Sequence, residues 1–265
     1  MTMTGDDDWS GPSVAPGGLV CYVHINKNFG NTIRDVLDRN YGGRLAEYMV
    51  NGRRTRRADA ARTVDSGDDD VRRVVDEIQR RQFAIDCLAL NLPYGIHRYL
   101  NRPARYFTLL REPVDRCVSF WYWAYRTRKR GAATLWHSFE AMDFDLERIL
   151  TTSAALQLRN DQTRFLTGTD AVEVTTDHLE RAKQLIEHSY AFVGVVERFA
   201  ECHRALADRF GWTDRGYDHL NPGDRSDCAL LPAGAEKLFR EYNDIDMQLY
   251  RWLVERRPAG VARTS

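Results

Sequence analysis

The chain has 265 residues, 43% apolar and 11% aromatic, and its 38 Lys plus Arg are matched by 38 Asp plus Glu. That length suits one large domain or two small ones, and the composition is rich enough in apolar side chains to exclude wholesale disorder. Zero net charge excludes a global field that would recruit nucleic acid or an anionic membrane, so any anion site has to be assembled locally.

In chain order, residues 1–18 ("MTMTGDDDWSGPSVAPGG") read as a disordered leader without the basic and apolar regions of a signal peptide. No later segment approaches the roughly 20 apolar residues of a membrane span, so the expectation is a cytoplasmic protein with no membrane partner. Leu19 to Ile25 is a buried strand by its β-branched and aromatic content, and Thr32 to Asn40 is a helix capped by Asn31 or Thr32. Residues 41–81 form an arginine-rich insertion ending in a helix from about Asp70 to Arg81, read as a solvated surface or as a basic flap over an anionic acceptor. Strands follow at Gln82 to Leu90 and Arg105 to Leu110, and Pro113 opens the next helix at the position proline prefers. Further helices are expected at Phe144 to Thr151, Asp177 to His188 and Pro232 to Arg257. A strand at "AFVGVVE" leads into the helix "RFAECHRALADRF". Leu158 to Gly168 reads as a polar loop whose polarity suggests that it faces a site. Strands alternating with helices predict an α/β fold: a single P-loop-like domain over 19–258, with a mostly parallel central sheet flanked by helices on both faces, and a tail at 259–265. Cys21, Cys87, Cys117, Cys202 and Cys228 have neither CxxC nor zinc spacing and read as small core residues of a reducing compartment; no metal site is expected.

The chemistry concentrates in "HINKNFGNTI", His24 to Ile33, between the first strand and helix. Backbone N–H groups at a helix start, with the positive end of its dipole, bind anions. Gly30 would let the chain approach the ligand, Asn28, Phe29, Asn31 and Thr32 would line the cradle, and Lys27, one of only four lysines, adds a charge. The order differs from GxxxxGK[ST], because the lysine precedes the glycine. A second element, "LLREPVDRCVSFWYW", puts Arg111 at the carboxyl end of a strand and Ser119 two turns into the following helix.

With these two elements, the chain resembles the PAPS-dependent sulfotransferases of the carbohydrate-acting type, which include the heparan sulfate 2-O and 6-O enzymes and bacterial relatives. "HINKNFGNT" is similar to HIPKTGGTS and "LREPVDRCVSFWY" to LRDPVxRxxSxYY. "NDQTRFLTG", "FVGVVERF" and "NDIDMQLY" are similar to DNxxTRxLxG, VGxTERF and NxLDxxLY, in order over residues 19–255. The resemblance implies sulfuryl transfer from 3'-phosphoadenylyl sulfate (PAPS) to a carbohydrate or small-molecule acceptor, leaving adenosine 3',5'-bisphosphate (PAP), with no metal required. It assigns Lys27 to the bridging oxygen, Gly30, Asn31 and Thr32 to the 5'-phosphosulfate, and Arg111 and Ser119 to the 3'-phosphate. Arg116 reads as a surface ion pair with Asp115 or Glu112, Glu197 and Arg198 as a family match or a helix cap, and Asn221 as part of a closing loop.

The pattern breaks at "LNLPYGIH", where Asn91 stands in place of a basic histidine in GHxPYGLH. An amide is no base near neutral pH. Three explanations stay open: another base, with His97 leading and His24 and Asp161 as others; an acceptor such as a phenol, with a pKa of about 10; or a PAP-binding pseudoenzyme. A nucleotide-dependent kinase is the remaining alternative. Asn91, Asn160 and Asp161 are the expected acceptor contacts, and neither the acceptor nor the oligomeric state is legible.

Overall fold

Leu19–Val23 forms strand β1, and its residues divide by parity. Leu19, Cys21 and Val23 enter one apolar cluster and Val20 and Tyr22 another, the period-2 division of a strand covered on both faces. The computed structural model describes residues 18–48, 69–128, 133–218, 220 and 231–256. Within them, β1 pairs with β3 (Cys87–Leu90) on one side and β4 (Ala104–Leu110) on the other. β2 (Leu45–Tyr48) and β5 (Tyr190–Val195) complete an all-parallel sheet in the order β2-β3-β1-β4-β5. The fold is therefore α/β, with the sheet wholly rather than mostly parallel.

Helices α1 (Gly30–Tyr41) and α8 (Phe199–Phe210) cover one face through Ile33, Val36, Leu37, Phe199, Cys202 and Leu206. Helices α2 (Asp69–Arg81), α6 (Asp161–Thr167), α7 (Thr176–His188) and α10 (Asp244–Arg256) cover the other. Helix α3 (Pro113–Arg126) belongs to a separate cluster with α4 (Ala133–Glu140), α5 (Leu146–Leu150) and α9 (Ala235–Glu241). At its centre Trp121 stacks on Phe139 with centroids 5.2 Å apart. Burying a side chain of this kind contributes about 1.5–3 kcal/mol.

Several boundaries differ from the sequence reading. The strand expected from Gln82 starts at Cys87, because residues 82–84 turn and Gln82 donates to Gln79 O while accepting from Asn101 N. β2 emerges inside the arginine-rich stretch. The helix expected from Pro232 divides into α9 and α10, where buried Asn243 donates to Leu158 O at 2.7 Å and to Phe239 O at 2.8 Å. Residues 158–168, expected as a polar loop, contain α6. The 1–17 part of the leader, residues 49–68 of the insertion, Asn221, Cys228 and the tail lie outside the described residues. Cys21, Cys87, Cys117 and Cys202 are buried free thiols, and no described helix is long and apolar enough to cross a membrane.

Candidate anion-binding site

β1 and β4 are neighbours, but the chain leaves β1 toward β2 on one side and β4 toward β5 on the other. At such a reversal of strand order, open α/β sheets bind ligands beyond the carboxyl ends of their strands. The Lys27 turn and Arg111 are the two segments that leave β1 and β4 there.

The turn is unusual in its backbone. Lys27 has φ 71° and Phe29, the N-cap of α1, has φ 65°, a left-handed geometry that costs side-chain-bearing residues about 1–2 kcal/mol. Phe29 stands where the family pattern quoted above has its first glycine. What holds the turn is the residue between them. Asn28 is 1% exposed, and its Nδ2 donates at 2.8 Å both to Leu109 O of β4 and to Gln162 Oε1 of α6. Phe29 also packs on Phe199, centroids 5.0 Å apart.

Gly30 has a local reason that the sequence reading did not contain. A Cβ at this position would lie 1.8 Å from His24 Nε2. The glycine thus makes room for a buried imidazole behind the turn. Burial, with Arg34 and Lys27 adding to it, lowers the pKa of His24 to about 4, so the ring is neutral near pH 7, and its Nδ1 is buried without a hydrogen-bond partner.

The charges converge on the front of the turn. Arg111 Nη1 donates to Lys27 O at 3.2 Å, and the Lys27 ammonium lies 6.0 Å from the centre of the Trp123 ring. Burial lowers the pKa of Lys27 to about 8, and the charges of Arg126 and Arg111 push in the same direction. Asp115 is 4.0 Å from Arg111. Ser119, Trp123 and Arg126 recur on α3 at the spacing of one helix face, so half-buried Ser119 shares the face that carries Trp123 to Lys27. Asn31 is exposed and accepts from Arg34, while buried Thr32 accepts from Leu220 N at 3.1 Å. Along the outer side of α1, Asn31, Arg34, Asp35, Asp38, Glu47 and Leu220 line a separate open depression.

Among the expected acceptor contacts, Asn91 lies beside the turn: its Nδ2 donates to Asn26 Oδ1 at 2.9 Å, and Asn26 Nδ2 donates to Gln157 Oε1 at 3.2 Å. Asn160 and Asp161 have internal partners. Asn160 accepts from Asp246 N at 3.0 Å, and Asp161 is 2% exposed between Arg116 at 3.4 Å and Arg164 at 3.7 Å. Burial raises the Asp161 pKa to about 6 against the pull of both arginines. The polarity of residues 158–168 thus serves an internal network. Arg116, expected on the surface, is fully buried and also donates to Gln157 O at 2.5 Å.

His97 is tied elsewhere. Its Nδ1 lies 3.0 Å from Tyr106 Oη, its backbone N donates to the same oxygen at 2.8 Å, and its ring packs on Tyr94. Burial lowers its pKa. Glu197 accepts from Glu112 N at 2.8 Å rather than capping α8. The sequence reading missed Gln162 and Arg126; Trp123 stood within a legible aromatic run beside Ser119. No protein-family model matches the chain, and no curated protein matches it. The site therefore rests on its own geometry and chemistry.

Proposed function

We propose that the chain is a sulfotransferase that moves a sulfuryl group from PAPS to a hydroxyl of a carbohydrate or small-molecule acceptor. One observation carries this reading: Arg111 Nη1 reaches Lys27 O at 3.2 Å, and the charges of Arg126 and Arg111 add to burial in lowering the pKa of the Lys27 ammonium. Like charges held together favour a bound anion that offsets their repulsion. Two anion-directed elements at adjacent strand ends suit a ligand with two phosphate-bearing positions, as PAP has. The P-loop-like turn would hold the 5'-phosphosulfate, and Arg111 with the Ser119 face of α3 the 3'-phosphate.

In the transfer, the acceptor oxygen attacks sulfur as the bond from sulfur to the bridging oxygen breaks. The electron pair departs with PAP, and the acceptor's proton passes to a base or to water. Lys27 would lie against the bridging oxygen, where an ammonium neutralises the charge that develops as the bond breaks. Catalysis of this kind is mainly positioning and electrostatic stabilisation.

A second reading is a PAP-binding pseudoenzyme. The observation favouring it is that His97 is engaged by Tyr106 while an amide, Asn91, occupies the position beside the turn. General-base assistance contributes about 100 to 10,000-fold, so losing it would slow transfer without removing donor binding.

The experiment is calorimetric titration with PAP and, separately, ATP with magnesium, followed by incubation with PAPS and an acceptor panel read by mass spectrometry. Binding of PAP and the gain of one SO3 unit on an acceptor support the enzyme. PAP binding without transfer supports the pseudoenzyme, and a preference for ATP overturns both in favour of a kinase. Lys27→Ala should abolish transfer while weakening PAP binding less; equal losses would remove the leaving-group role.

A further inference from the structure

Gln162 is the second residue of α6 and is 1% exposed. Its carboxamide meets both segments of the proposed site. Oε1 accepts from Arg111 N and from Asn28 Nδ2, each at 2.8 Å, and Nε2 donates to Arg111 O at 2.9 Å. Pairing both the N–H and the C=O of Arg111 is what a neighbouring strand would do, here supplied by a side chain just beyond the end of β4. Arg111 Nη1 then returns to Lys27 O at 3.2 Å. The contacts close a ring: Lys27 to Asn28 along the backbone, Asn28 to Gln162, Gln162 to Arg111, and Arg111 to Lys27.

The far end of the ring is anchored. Asp246 of α10 accepts from Gln162 N at 3.0 Å through Oδ2, and through Oδ1 from Thr163 N at 2.8 Å and Thr163 Oγ1 at 2.7 Å. α6 therefore cannot shift toward the turn without breaking its own start. The two left-handed residues that flank Asn28 have the ring to hold them in place.

We propose that Gln162 is a positioning residue: it fixes the separation of the Lys27 turn and Arg111, so that affinity for a doubly phosphorylated nucleotide depends on this buried amide. The inference deepens the functional reading above and rests on it for the nucleotide, but not for the geometry. Glutamine supplies one acceptor and one donor at the correct reach. Methionine keeps the length and loses both. Ionised glutamate sets an oxygen against Arg111 O, whereas protonated glutamate again offers an acceptor and a donor.

The test uses the full chain with Gln162→Met and Gln162→Glu. In the ligand-free protein, exchange of the Arg111 amide is followed by NMR, and the Lys27 titration by pH-dependent amine acylation read by mass spectrometry. PAP affinity is measured by calorimetry. In folded Gln162→Met, Arg111 exchange should accelerate at least tenfold, the Lys27 pKa should rise toward its exposed value, and PAP should bind at least tenfold more weakly. In Gln162→Glu the affinity deficit should narrow between pH ~8 and ~5.5, because burial raises the carboxyl's pKa and its protonation restores the pair. That rescue decides the matter should Gln162→Met fail to fold. Unchanged exchange and Lys27 titration overturn the inference whether or not PAP binds. PAP affinity within twofold of the parent overturns the positioning role. A parent that does not bind PAP overturns the functional reading, while exchange and titration still decide whether Gln162 sets the geometry.

Discussion

Gly30→Ala isolates the packing behind the turn. The backbone at Gly30 does not have positive φ, so alanine is conformationally permitted, and in a helix interior it is favoured over glycine by about 0.5–1 kcal/mol. The obstacle is one side chain. The new methyl would sit 1.8 Å from His24 Nε2, so ring and helix start would have to separate by about 1.7 Å to reach an optimal contact near 3.5 Å. His24 is 7% exposed, with the Tyr22 ring at 5.7 Å, and has little room to retreat. Overpacking of this sort costs about 1–3 kcal/mol, and this contact belongs at the upper end. In a His24→Ala background the obstacle is gone, and the same substitution should cost nothing or stabilise slightly. Urea denaturation of the parent, both single variants and the double variant should give a coupling energy of about 2–3 kcal/mol, well outside the ~0.5 kcal/mol error of additivity. Equal costs of Gly30→Ala in both backgrounds would refute the packing argument. If the double variant is stable yet no longer binds PAP, the glycine also serves the close ligand approach expected from sequence.

Four further outcomes follow from the same geometry. Lys27 has a pKa of about 8 in the empty site and an anion raises it, so PAP binding should take up protons near pH 8 and weaken as pH rises further; calorimetry in buffers of different ionisation enthalpy measures both, and no uptake would contradict the cationic role. His24 titrates near 4 when folded and near its usual 6.5 when unfolded, so unfolding takes up a proton between those values and stability should decline as pH falls through them; the decline should flatten in His24→Ala. Arg116→Met removes the closer partner of buried Asp161 and should cost about 3–5 kcal/mol in urea denaturation, with a loss under ~1 kcal/mol contradicting the buried pair. At position 29, with its φ of 65°, glycine should be more stable than alanine by about 1 kcal/mol; thermal denaturation showing alanine the better would argue against the left-handed turn.

The sequence made the sheet core legible because its strands are continuous apolar runs, and α3 because Pro113 marks its start. β2 was hidden by its length of four residues and by Glu47 within it. α6 was hidden for a different reason. Asp161, Gln162, Thr163 and Arg164 are all buried, so the usual equation of polarity with exposure fails, and the 3.6-residue apolar period with it. The Lys27 turn and Arg111 could be read as anion-directed elements from charge, glycine and strand-end position. The packing roles of Asn28, Gln162 and His24 could not, because each acts through partners between 6 and 134 positions away in sequence. Arg116 was misplaced because its i±1 and i±4 neighbours offered carboxylates, while its true partner is 45 positions on.

The anchor of α6 on Asp246 has a temporal consequence. The Lys27 turn is made early in synthesis, but the residue that secures its far support belongs to the last described helix. A nascent or truncated chain lacking α10 would carry the basic residues without their final spacing. The turn and Arg111 would reach their final separation only when the sheet and its covering helices have come together.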